Sequence, residues 1–147
     1  MTTYLEDIAE GLELVSEPYT VTSAEITSFC LVSGDRNPLH TDDAYARSMG
    51  FRERIAHGLL IASITSGLPT PADDWSLNAY LEVTRRFLTP VYPGDTIRIV
   101  SRVTDVRRSS SDPTRGIVTL AVEVRNQDDQ VVQEGIDVVM VGAREDA

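Results

Sequence analysis

The chain has 147 residues, 41% of them hydrophobic and 24% charged, proportions of an ordinary globular protein. That length predicts one domain, 1–147, with a sizeable core. Its net charge of −10 argues against nucleic acid and anionic membranes as partners, since binding phosphate needs a clustered basic surface.

In chain order, residues 4–11 read as a turn or short helical lead-in ending at Gly11, and Leu12 to Thr20 as a weak strand interrupted by Pro18. Thr22-Ser23-Ala24-Glu25 is a capping box, and Ile26, Phe29 and Cys30 recur at helical spacing, so 23–33 should be an amphipathic helix stopped by Gly34. Cys30 is the single cysteine. It excludes an intrachain disulfide and a cysteine-based metal cluster, and its place in the apolar pattern makes it core.

The stretch Ser33-Gly34-Asp35-Arg36-Asn37-Pro38-Leu39-His40 comes next. Pro38 keeps Asn37 extended, so an ordered loop is expected here. On a helix, a spacing of five would set Asp35 and His40 about 140° apart; a curled loop lets their side chains converge as an acid/base pair. Asp42 or Asp43 caps a short helix through Ala44, Tyr45 and Ala46 that stops near Gly50. From Ala56 to Leu68 the chain carries no charge. Such a helix is expected to be buried on all sides. At about twelve residues it is too short to span a membrane. Residues 69–76 form a loop, and Trp75 and Tyr45 read as packing residues. Four strand-like segments follow, 77–88, 95–107, 116–126 and 131–142, with turn signals between them that imply an antiparallel sheet. A helix wrapped by such a sheet is an α+β layout. It leaves an edge strand and part of the helix under-covered, which predicts a homodimer or dimer of dimers.

The N-terminus, Met1 to Asp7, has neither a basic n-region nor an apolar h-region, and no apolar run approaches the ~20 residues of a membrane span. A cytoplasmic protein without membrane association is expected.

The Ser33–His40 stretch, with His57-Gly58-Leu59 after it, resembles the hydratase-2 motif of the MaoC-like family of (R)-specific enoyl-CoA hydratases and related dehydratases. Tyr4-Leu5-Glu6-Asp7 with Gly11, and Phe87-Leu88-Thr89-Pro90-Val91 with Pro93-Gly94-Asp95, also look like segments of that family. The resemblance implies a single hot-dog domain: five antiparallel strands wrapped around a helix at about 57–68, with active sites near a dimer interface. It also implies that Asp35 and His40 are the catalytic pair, that the Gly58 N–H holds a thioester carbonyl, and that Asn37 and Ser66 support the site.

Those residue types suit the chemistry. Adding water to a 2-enoyl thioester needs a base for water, an acid for Cα and a donor for the enolate-like oxygen. Asp and His supply the first two, and an N–H at a helix N-terminus supplies the third. Neutral imidazole accepts a proton near pH 7, which favours His40 as base. His57, just ahead of the helix, reads as capping or packing. Arg52, Arg54, Arg85 and Arg86 are candidates for the phosphates of coenzyme A, although each alone reads more simply as a surface arginine. No metal-ligand spacing appears and no cofactor is expected. The partner expected is an acyl-CoA thioester, because an acidic surface repels an acidic carrier protein. Two other readings are an acyl-CoA thioesterase and a non-catalytic acyl-thioester-binding subunit of a dehydratase heterodimer.

Overall fold

A computed structural model describes residues 1–144. Its strands are β1 (Glu13–Val15), β2 (Tyr19–Thr20), β3 (Leu77–Phe87), β4 (Thr96–Arg108), β5 (Arg115–Arg125) and β6 (Val131–Gly142). Its helices are α1 (Ser23–Ser33), α2 (Pro38–Thr41), α3 (Asp43–Ser48) and α4 (Gly58–Ser66).

The weak strand expected at Leu12–Thr20 is divided, and both pieces pair with β4. Pro18 has no N–H for the ladder. Beside it Ser16 replaces a regular rung: its N–H donates to Ile99 O and its hydroxyl accepts the Ile99 N–H, both at 3.1 Å. The sheet therefore has five positions, in the order β1-β4-β5-β6-β3, with β2 beside β1 on β4. Every strand pairing is antiparallel. Although β3 precedes β4 in the chain, it pairs with β6 and forms the far edge.

Alternation sends Ile97, Ile99 and Val103 of β4 and Leu120, Val122 and Val124 of β5 into the interior. One cluster, with Val21, Ile26, Ala56, Leu60, Ile61 and Val91, packs α1 and α4 onto the sheet. A second gathers the N-terminal turn and Trp75 over its other half. Tyr45, by contrast, is left substantially exposed.

Burial of α4 on all sides does not hold for the single chain. Leu60, Ile61 and Thr65 face the sheet, whereas Leu59 is 64% exposed and Ser63 and Ser66 are exposed. One sheet can cover only one side of a helix. The open side continues onto β3, where Tyr80, Leu81, Val83 and Phe87 are exposed.

Close approach of β3 and β6 depends on Gly135. A Cβ there would lie 1.8 Å from the Thr84 carbonyl oxygen. Because the obstacle is backbone, Gly135→Ala is expected to cost about 1–3 kcal/mol or more, visible as a lower midpoint in urea.

Candidate active site

The site is assembled where the end of α1, the turn of α2 and the start of α4 meet. α1 starts at the capping box, where the Glu25 N–H donates to Thr22 Oγ1 (3.3 Å) and the Thr22 N–H to Glu25 Oε2 (2.8 Å). It ends at Gly34, whose φ of 77° is the left-handed conformation glycine adopts freely. Side-chain bonds then turn the backbone. The Asp35 N–H donates to Ser33 Oγ (3.1 Å), the Asn37 N–H to Asp35 Oδ1 (3.1 Å) and the Leu39 N–H to Asn37 Oδ1 (3.0 Å). Asn37 is extended (φ −53°, ψ 135°), as its position before proline demands.

His40 does not lie on a loop. Pro38 occupies the first position of α2, where its fixed φ suits a helix and its missing N–H costs nothing, and Asn37 caps that turn. Asp35 lies before the turn and His40 inside it, so their side chains converge, with His40 Nε2 3.9 Å from Asp35 Oδ2. The Asp35 side chain is 53% exposed, whereas that of His40 is largely buried. His40 Nδ1 lies 2.7 Å from Ile55 O, and a carbonyl can only accept. Nδ1 therefore carries a proton, and Nε2 faces Asp35.

His57 is the residue that reading the sequence undervalued. Its side chain makes no capping bond. It is 3% exposed, and its ring stacks on that of His40 at 3.7 Å between centroids and 24° between planes. Its Nε2 donates to the Asp35 carbonyl at 3.0 Å, with Cys30 Sγ at 3.6 Å and the Phe29 ring edge-on at 4.9 Å. One side chain thus touches both members of the Asp35–His40 pair. Ligand atoms of Asp35, His40 and His57 all lie within 4.8 Å of one another.

Burial, and secondly the neighbouring His40, holds the His57 pKa below its ordinary value; the Asp35 carbonyl and carboxylate oppose this. The sign follows. The unfolded chain takes up a proton near pH 6.5, whereas folded His57 resists it until lower pH. Stability is therefore full above about pH 6.5 and is lost as the pH falls below it. Thermal melts of wild type should decline below that pH, and in His57→Phe this component of the decline should vanish.

Gly58 opens α4 beside His40. Among the described residues its N–H has no acceptor in the protein, as expected for the first donors of a helix. Its carbonyl accepts from Gln133 Nε2 at 2.8 Å. The Phe87 ring lies close enough that a Cβ on residue 58 would be 2.6 Å from it. His40, Gly58, Phe87 and Gln133 all line one cavity of about 230 Å³.

The other candidate residues disperse. Asn37 shapes the loop, as its bonds above show. Ser66 ends α4, about 12 Å along the axis from Gly58, where its hydroxyl donates to Ser63 O at 2.7 Å. Within one chain it does not reach the His40 cavity. Arg52 is exposed, over the Tyr92 ring at 4.2 Å and 3.8 Å from Asp95. Arg54 lies 3.8 Å from Asp43, and exposed Arg86 bonds Glu134 at 3.1 Å. Arg85 is no surface arginine: it is buried against Asp137 at 2.6 Å. Gln133, Asp137 and the pairing of Arg85 with Asp137 lie outside what the sequence reading named. The available signal was polar side chains at inward positions of otherwise apolar strands.

The family model described as the MaoC like domain matches residues 9–126. An (R)-specific enoyl-CoA hydratase of Rhodospirillum rubrum is 34% identical over 146 residues, covering 96% of this chain and 93% of the relative. A 3-hydroxybutyryl-CoA dehydratase of Methylorubrum extorquens is 31% identical over 149 residues, covering 98% and 87%. Both are hydro-lyases. A Mycobacterium tuberculosis protein with a double hot-dog fold superposes with a TM-score of 0.86 at 20% identity, over 99% of this chain and 46% of that one. The hot-dog architecture is thereby established: an antiparallel sheet curled around a central helix.

Proposed function

Because the chain belongs to the MaoC-like dehydratase family, we propose that it reversibly hydrates trans-2-enoyl-CoA to (R)-3-hydroxyacyl-CoA, with Asp35 and His40 as its acid/base pair. The observation that carries this reading is the shared cavity in which the His40 imidazole and the N-terminus of α4 meet.

The thioester carbonyl accepts the Gly58 N–H, strengthened by the helix dipole. A water between Asp35 Oδ2 and His40 Nε2, 3.9 Å apart, is within reach of both. Its oxygen bonds to Cβ while His40 Nε2 takes its proton. The π electrons move onto the carbonyl oxygen, where the Gly58 N–H holds the charge. The enolate then collapses, and Cα takes the proton back from His40. Asp35, the other member of the pair, accepts a hydrogen bond from the same water and steadies the imidazolium. Water and proton arrive from one side, giving syn addition. Asn37 holds the loop through its cap on α2. No cofactor enters the scheme.

The open side of α4 and the exposed edge strand β3, with Leu59, Tyr80, Leu81, Val83 and Phe87, support a homodimer. Sedimentation should return twice the chain mass of 16.2 kDa. We place the protein in the cytoplasm. No described helix is long and apolar enough to cross a membrane.

Mass spectrometry of a short enoyl-CoA incubated with pure protein tests the activity. Product heavier by one water, with its thioester intact, is the expected result. Free coenzyme A without hydration would assign a thioesterase instead.

A further inference from the structure

The His40–Gly58 cavity contains one buried polar side chain that the scheme above does not use. Gln133 is 2% exposed and lies on β6 beside Val132, opposite Val124 of β5. Both valines are fully buried, so an apolar side chain would suit position 133. The Gly58 carbonyl can only accept, which turns the Gln133 amide so that Nε2 faces it at 2.8 Å. Oε1 is thereby turned away, buried and without a hydrogen-bond partner among the described residues. Leaving a buried acceptor unpaired lowers stability. Core packing alone therefore favours a different residue here, and the use of Gln133 lies at its Nε2 end.

That end meets a helix start with little else to hold it. α4 begins on glycine, the residue with the widest choice of backbone angles. His57, its N-cap, makes no side-chain bond to the first turn. On one side of the Gly58 N–H stands His57, fixed by its bond to the Asp35 carbonyl and its stack on His40. On the other side Gln133 fixes the Gly58 carbonyl. Gln133 pairs across the sheet with Phe87, whose ring walls the same glycine. Two neighbouring strand residues thus bring a brace and a wall to one backbone position.

We infer that Gln133 is the positioning residue of the oxyanion donor: by holding the Gly58 carbonyl it aims the Gly58 N–H at the thioester oxygen. This rests on the hydratase reading above. A donor stabilises developing charge only when it is aimed at where that charge appears. A misplacement of about 1 Å can cost roughly 10²-fold in rate. In this role Gln133 touches no reacting atom, and its whole effect passes through the Gly58 N–H.

Gln133→Met keeps the length of the side chain and removes the amide. It should lower kcat for a four-carbon 2-enoyl-CoA by about 10–100-fold. The melting temperature should change little, because removal of the unpaired Oε1 offsets the lost bond. A residue that merely supports the fold would show the opposite, a lower melting temperature with kcat unchanged. Introduced into Gly58→Pro, which has no N–H to aim, Gln133→Met should change kcat by less than about twofold. Full, multiplying losses in that background, or a Gln133→Met enzyme as fast as wild type, would overturn the inference. Gln133→Glu serves if the methionine variant does not fold. Only its protonated carboxyl can donate to the Gly58 carbonyl, so its rate relative to wild type should climb as the pH falls; a flat ratio counts against the inference. A readout independent of turnover is the infrared carbonyl stretch of bound butyryl-CoA, isotope-labelled at the thioester, which has no double bond to hydrate. Hydrogen bonding lowers that frequency, so it should lie lower in wild type than in Gln133→Met, with Gly58→Pro marking the value without the donor. Equal frequencies in wild type and Gln133→Met would refute the role. A wild type that does not hydrate the enoyl-CoA sinks the hydratase reading, and the infrared comparison then decides the role of Gln133 by itself.

Discussion

Asp35→Asn and His40→Gln should each lower enoyl-CoA hydration by about 10²–10⁴-fold, the usual range for a positioned acid or base. The Asp35 variant is the cleaner probe. Its carboxamide keeps an oxygen for the Asn37 N–H, a bond of 3.1 Å that shapes the loop, and the side chain is half exposed. A lost rate with an unchanged melting temperature therefore reports chemistry. The His40 variant also breaks the 2.7 Å bond to Ile55 O, so part of its loss could be positional and its melt must be measured beside it. Since both groups act on one water, the double variant should fall little below either single one. Independent, multiplying losses would argue that the two residues do not work as a unit.

The second large effect belongs to Gly58, and a pair of substitutions separates its two roles. Gly58→Ala keeps the N–H but puts a Cβ 2.6 Å from Phe87. That ring is half exposed and can swing, so stability should change little while thioester access narrows. Gly58→Pro removes the N–H. Proline is accepted at the first helical position, and His57, at φ −60° and ψ 136°, already has the backbone that must precede a proline. Loss of one such donor is worth roughly 10²–10³ in kcat, so the proline variant should lie about that far below the alanine one. Equal rates for the two variants would locate the Gly58 effect in packing.

Local features were legible in the sequence because local bonds determine them. The Thr22–Glu25 box and its helix have the bounds their spacing predicts, as does β6. The Asp42 cap and the burial of Cys30 also followed from neighbouring residues. What stayed hidden depends on distant partners. His57 reaches Asp35 across 22 positions, and Gln133 reaches Gly58 across 75. Neither contact leaves a periodic trace. Arg85 and Asp137, 52 apart, become a buried pair only because β3 crosses to β6 instead of pairing with its successor. Pro38 was misjudged for a different reason. It bars helix for the residue before it, yet it starts one itself, and only the Asn37 cap decides between the two. Ser66 shows the reverse case, a residue named from the family resemblance whose helix, within one chain, carries it away from the His40 cavity.

The most direct test of the account is the loss of enoyl-thioester absorbance with pure protein and a short trans-2-enoyl-CoA, followed by chiral analysis of the product. Steady loss yielding (R)-3-hydroxyacyl-CoA is the predicted result. No loss of absorbance, or loss with equal rates in wild type, Asp35→Asn and His40→Gln, would contradict it.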